Sequence, residues 1–231
     1  MMITIQTQTF LIKPLMFLYQ KTLTTIFLFV AANASNYYIE TGTVEKTYIG
    51  IKGRVTGLDF LMGLEVIYQK PLSTFSTIFS KKILEKADFL NMEMVNDYAI
   101  YIRALLYGDA YILPGYIGMY RKHSGNISLN IKRDFLMQNF EERKWAKEHL
   151  YNKLPENKIK KWWTVQMMLL YKYYLTKTKP STEDLLFVVK WIIRNSTNKV
   201  ELLARIIMRT VIIKAKDFLG IGRIKKIQGA E

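Results

Sequence analysis

The rhythm of hydrophobic positions changes once along the chain, near residue 130. Before that point, apolar residues come in short runs or strict alternation, punctuated by glycine. After it, they recur every three or four residues over long stretches. The first half therefore reads as mixed strand and helix, and the second as helical.

In the first half, Thr25 to Ala31 is a short β-branched and apolar run that predicts a buried strand. Thr22 to Ala34 also imitates a secretory signal, with Ala32-Asn33-Ala34 as a cleavage-like site, but the long stretch before it makes a poor n-region. The strand is the preferred reading. Asn36 to Gly53 alternates Tyr, Ile, Val and Thr with polar residues and is broken at Gly42, Gly50 and Gly53, which predicts a hairpin or looping edge. Thr56 is placed to cap a short helix. Ser73 to Leu84 starts as a strand and turns into a short helix at Ser80. Asn96 is an N-cap candidate for a helix in which Tyr98, Ile102, Leu105 and Leu106 share a face, and Gly108 is read as its stop. Ala110 to Leu113 follows as a strand ended by Pro114, and Ile117 to Arg121 as another extended piece. Alternating elements of this kind predict an α/β domain over residues 1–130.

From Ile131 four helices are expected. The first precedes a break at Pro155, the second runs from Lys158 to Thr176, the third is capped by Thr182, and the fourth runs from Val200 to Leu219. Residues 131–231 are thus a helical C-terminal extension. Its Trp162, Trp163, Met167, Met168 and Tyr171 read as core. The last helix mixes apolar residues with Arg205, Arg209, Lys214 and Lys216, which suits either a lipid interface or a packed helix with a solvated basic face.

Composition narrows the partners. The formal net charge of +15 favours anionic surroundings: a phospholipid surface, nucleic acid, or substrates carrying a diphosphate. Fifteen tyrosines and twelve phenylalanines suit base stacking, but equally an AT-rich coding sequence. The absence of cysteine excludes disulfides and thiolate metal sites. No apolar run approaches the ~20 residues of a spanning helix. There is no Gly-rich phosphate loop, no HExxH and no Asp-x-Asp.

Two groups of residues stand out chemically. Asp97, beside Asn96, opens a helix. It serves as a plain capping residue or as a general base that removes a proton from an attacking hydroxyl. Tyr120, Arg121 and His123 form the second group. Arg121 and His123, two apart on an extended segment, point to one side and suit a diphosphate clamp, with His123 also a metal-ligand candidate. The alternative is an ordinary surface turn.

Taken in order, STFSTIFSKKIL, NDYAIYIRALLYG, DAYILPGYIGMY and YRKHSGNIS resemble the second half of family 2 glycosyltransferases with the GT-A fold. The resemblance covers roughly Phe60 to Ser128, more weakly back to Ile26. It implies a partial GT-A-like, Rossmann-like α/β domain that contributes to inverting transfer of a sugar from a nucleotide-sugar to a glycan or other hydroxyl acceptor. It makes Asp97 the catalytic base, with Asn96, Tyr120, Arg121 and His123 binding substrate. A Mg²⁺ or Mn²⁺ ion near His123 would steady the departing diphosphate. The family usually has an acidic pair where this chain has Asn96-Asp97, and its nucleotide-binding half carries an Asp-x-Asp motif that this sequence lacks. The resemblance therefore implies a truncated or split form, or a subunit awaiting its partner, weakly active or inactive alone. The expected location is cytoplasmic, with peripheral contact at the inner face of the plasma membrane. The competing expectation is a basic, non-enzymatic protein binding a membrane surface or nucleic acid.

Overall fold

A computed structural model describes residues 27–92, 96–123, 133–178 and 180–219. Thr25, Ile26 and Ser124 to Ser128, all used above, lie outside the described residues, as does the GIGRIKKIQGAE tail. The chain divides between Lys122 and His123 into two compact units, the first mixed α/β and the second helical.

The first unit is built on β1 (Phe27–Tyr38), longer than the predicted strand. Ala31, Ala32 and Ala34 are fully buried in it, so the cleavage-like tripeptide is the middle of a core strand. These small side chains leave room for neighbours on both sides. β5 (Asp109–Lys122) runs parallel to β1 along one edge. The other edge is shared by β4 (Thr77–Phe79) and β2 (Thr43–Lys46), both antiparallel. β3 (Gly53–Val55) closes the far side of β5, giving the order β2-β1-β5-β3 with β4 beside β1. The predicted hairpin is the β1–β2 pair, whose connection places Gly42 at φ +67°, a conformation glycine enters without steric cost.

Pro114 does not end β5. Leu113 pairs with Ala32 and Tyr116 with Asn33, so Pro114 and Gly115 are looped out as a bulge and the ladder resumes beyond them. A proline lacks the N–H a ladder needs, and a bulge is where a strand tolerates it.

Helix α1 (Gly57–Gly63) starts at Thr56, whose side chain accepts a hydrogen bond from the Asp59 N–H, as expected. Helix α2 (Lys81–Lys86) starts after Ser80. Helix α3 (Asp97–Leu105) is buried from Ala99 to Leu105. Gly108 is not a left-handed stop. Leu106 ends α3 in right-handed conformation, and the position that close packing reserves for glycine is Gly57, where a Cβ would collide with the backbone carbonyls of Leu105 and Gly108. Around Phe29 an aromatic cluster fills the core, with Phe60, Phe79 and Tyr101 ring centroids 6.2, 5.5 and 5.4 Å away. Arg103 is buried and donates to the carbonyls of Ala87 and Asp88 at 3.3 and 2.8 Å. It thereby fastens α3 to the corner after α2, where Asp88 is left-handed at φ +52°.

The second unit contains α4 (Arg133–Leu150), α5 (Glu156–Lys177), α6 (Thr182–Arg194) and α7 (Lys199–Phe218). Ser181, rather than Thr182, caps α6, accepting from the Asp184 N–H at 3.1 Å. Trp162, Trp163, Met167 and Tyr171 are buried, as their helical spacing predicted, while Met168 is half-buried. Trp163 donates to Ser196 Oγ at 3.2 Å, and Phe140 stacks on Trp191 at 4.3 Å. No helix among the described residues is long and apolar enough to cross a membrane.

Candidate functional site

β1 and β5 end side by side, Tyr38 opposite Lys122. In α/β sheets the carboxyl ends of parallel strands are where ligands are met, because the connecting segments leave a crevice there. Here that end carries Tyr38 and Lys122, and Lys70 lies close enough to feel the charge of Lys122.

Asp97 lies in the first turn of α3. Asn96 is a true N-cap: its Oδ1 accepts from the Ala99 N–H at 2.9 Å. With Asn96 serving the backbone, the Asp97 carboxylate is not consumed by capping. Its nearest cation is Lys70, whose Nζ stands 4.0 Å from Asp97 Oδ2. The two side chains are 26% and 34% exposed, so the pair is neither buried nor freely solvated. At this exposure such a pair contributes ~1 kcal/mol or less to stability.

Lys70 is held in place by its own backbone, donating to the carbonyls of Pro71 and Leu72 at 3.2 and 3.1 Å. Burial pushes its ammonium below the ordinary lysine value. The charges of Asp97 and Glu65 oppose that shift, and the nearby charge of Lys122 adds to it. Lys122 is the last residue of β5 and lies with Nζ 5.2 Å from the Tyr38 ring centroid. Tyr38 in turn donates to Glu45 Oε2 at 2.7 Å, as does Asn36 Nδ2 at 3.2 Å. The hydrogen bond to Glu45 raises the Tyr38 phenol above its usual range, with burial adding to it. On the α3 side, Tyr101 shares a 2.6 Å hydrogen bond with Thr77, and burial drives its phenol well upward.

The predicted residues are distributed unevenly. Asn96 and Asp97 sit together at the head of α3. Tyr120 is half-buried on β5, opposite Asn36. Arg121 is exposed, while its neighbour Lys122 is half-buried, so alternation along the strand turns Tyr120 and Lys122 one way and Arg121 the other. His123 is exposed and opens the second unit. Sequence reasoning missed Lys70 and passed over Lys122 as a loop residue. A signal for Lys122 was available: an i, i+2 pairing with Tyr120 on an extended strand. For Lys70 there was none, because its approach to Asp97 is a tertiary contact.

Among the described residues, no three His, Cys, Asp or Glu side chains converge as metal ligands. The cation beside Asp97 is an ammonium of the chain itself. No step below passes through the magnesium or manganese ion expected from the resemblance.

The arrangement offers a partly exposed carboxylate, an adjacent lysine, and a second lysine close enough to be felt electrostatically. A carboxylate can accept a proton from a hydroxyl. Paired ammoniums can receive developing negative charge on a phosphate-type leaving group. No family model matches the chain, and no curated protein or solved structure is similar to it.

Proposed function

We propose that the α/β unit is the acceptor side of an inverting, nucleotide-sugar-dependent glycosyltransferase. In that reading the acceptor hydroxyl oxygen attacks the anomeric carbon of the donor as its bond to the diphosphate breaks. The hydroxyl proton goes to Asp97, and the bonding electron pair leaves with the nucleoside diphosphate. Lys70 and Lys122 face that growing negative charge. The observation that carries the proposal is the pairing of Asp97 with Lys70 close to the carboxyl ends of β1 and β5. The ordered motifs from Ser73 to His123 support it. Because the sequence has no Asp-x-Asp pair, donor binding by this chain is weak and turnover slow or nil without a complementing chain. The acceptor is a glycan or lipid-linked hydroxyl.

Saturation-transfer NMR with a panel of uridine- and guanosine-diphosphate sugars and simple glycoside acceptors tests the reading. Transfer from the protein to at least one sugar acceptor, lost in Asp97→Ala with the fold intact, is expected. A folded chain that saturates neither a nucleotide nor any glycoside would overturn it, as would rapid donor hydrolysis by the chain alone.

A further inference from the structure

Helix α7 has an apolar surface beyond the one it packs with. Leu202 and Ile206 are buried, and Thr210 shares a 2.6 Å hydrogen bond with Tyr171 of α5, which fixes the inward side of the helix. The outward side should then be polar. Instead Val200, Ile207, Val211 and Phe218 are 82, 56, 61 and 90% exposed. Their spacings of seven, four and seven residues place them in one line. Met208 and Ile212 widen the strip. From Val200 to Phe218 the line is ~27 Å long. This surface is independent of the Asp97 site.

Charge says what covers it. On a helical projection Lys214 borders the strip on the side of Ile207, and Arg205 lies beyond Ile212 on the other. Glu201 pairs with Arg205 at 2.6 Å, but that is an exposed pair, readily exchanged for another anion. The sequence after the helix adds Arg223, Lys225 and Lys226 against a single acid, Glu231. A second copy of the helix would bring these cationic borders against themselves. Nucleic acid would match the charge but leave the apolar strip wet. A bilayer with anionic headgroups matches both, and α7 is too charged to go further than the interface.

We propose that α7 lies in the surface of an anionic phospholipid bilayer, with Val200, Ile207, Val211 and Phe218 dipping below the headgroups and Arg205 and Lys214 on the phosphates. The helix then sets the orientation of the second unit on the membrane, and a lipid-linked acceptor would be met on that same surface.

The test is partitioning of the full chain onto phosphatidylcholine vesicles with and without roughly one third phosphatidylglycerol, at about 0.1 M salt. Binding to the anionic vesicles is expected to exceed that to neutral ones by at least about tenfold. Ile207→Asp with Val211→Asp should abolish it. Arg205→Gln and Lys214→Gln should weaken it about fivefold each while leaving helicity unchanged. Equal partitioning onto both vesicle types would overturn the proposal, and so would a folded Ile207→Asp, Val211→Asp variant that binds like the parent. Failure of the parent chain to bind, accompanied by self-association that Ile207→Asp dissolves, would assign the strip to a second copy instead.

Discussion

The two units differ in what they leave at least partly exposed: a cluster of paired charge in the α/β unit, and a strip of apolar side chains on α7 in the helical unit. The α/β unit brings charge partly inward: Lys70, Lys122, Asp97 and the buried Arg103 are tied to carbonyls, rings and one another. The helical unit buries aromatic bulk together with Glu142 and Arg143, and leaves apolar side chains of α7 in the open. Half-buried, paired charge costs desolvation and is retained where chemistry or ligand charge repays it. Exposed apolar surface is retained where something covers it. On the two proposals made above, the first unit carries chemistry and the second attachment.

That comparison can be broken at either side because the four tryptophans, Trp145, Trp162, Trp163 and Trp191, all belong to the helical unit. Their fluorescence follows that unit alone, whereas far-ultraviolet circular dichroism follows both. The largest effect is expected from Trp162→Ala, which empties a fully buried site and should cost the helical unit about 4 kcal/mol. The remaining tryptophans would then report early unfolding while the strand signal persists. Gly57→Ala should do the reverse, costing the α/β unit ~3 kcal/mol because the added methyl meets backbone rather than a movable side chain. Here the fluorescence transition should stay where it was. Parallel shifts of both signals in either variant would mean that the units unfold as one. Arg103→Met should cost about 2 kcal/mol, since the carbonyls of Ala87 and Asp88 lose their donor.

The smallest effect is a pH dependence. The folded-state pKa of Lys70 is depressed, so between that value and the ordinary 10.5 the unfolded chain binds more protons. Its contribution to stability therefore rises with pH across that window and is least favourable below it. Tyrosines with raised values, such as Tyr101, act in the opposite direction from their ordinary 10.0 upward. As pH approaches 10.0 from below, before the tyrosines contribute, chemical denaturation should show a shallower rise of stability with pH in Lys70→Met than in the parent. Identical slopes would remove Lys70 from the half-buried site.

What the sequence disclosed follows how local each interaction is. Thr56 and Asn96 were legible as caps because a cap joins a side chain to a backbone N–H two or three residues away. The cap of α6 was misplaced by one residue because Ser181 and Thr182 are both competent, and only the Ser181 geometry reaches the Asp184 N–H. Pro114 was read as a strand end, since the bulge that accommodates it depends on the register against Ala32 and Asn33 of β1, which no local pattern carries. Gly108 was read for its torsional freedom, but its φ is not positive, and the glycine that close packing requires is Gly57. Asp97 was found from its place at a helix start. Lys70 and Arg103 were not, because a buried cation looks like any surface one until the partner that holds it is known.

The most direct test of the central claim is calorimetric titration of the folded chain with uridine diphosphate, alongside Lys70→Ala and Asp97→Ala. The account predicts weak saturable binding by the parent, with Kd ~0.1–1 mM. It predicts at least about tenfold loss in Lys70→Ala, and retained or tighter binding in Asp97→Ala, where a carboxylate no longer repels the diphosphate. No binding by the parent, or binding that Lys70→Ala leaves unchanged, would contradict it.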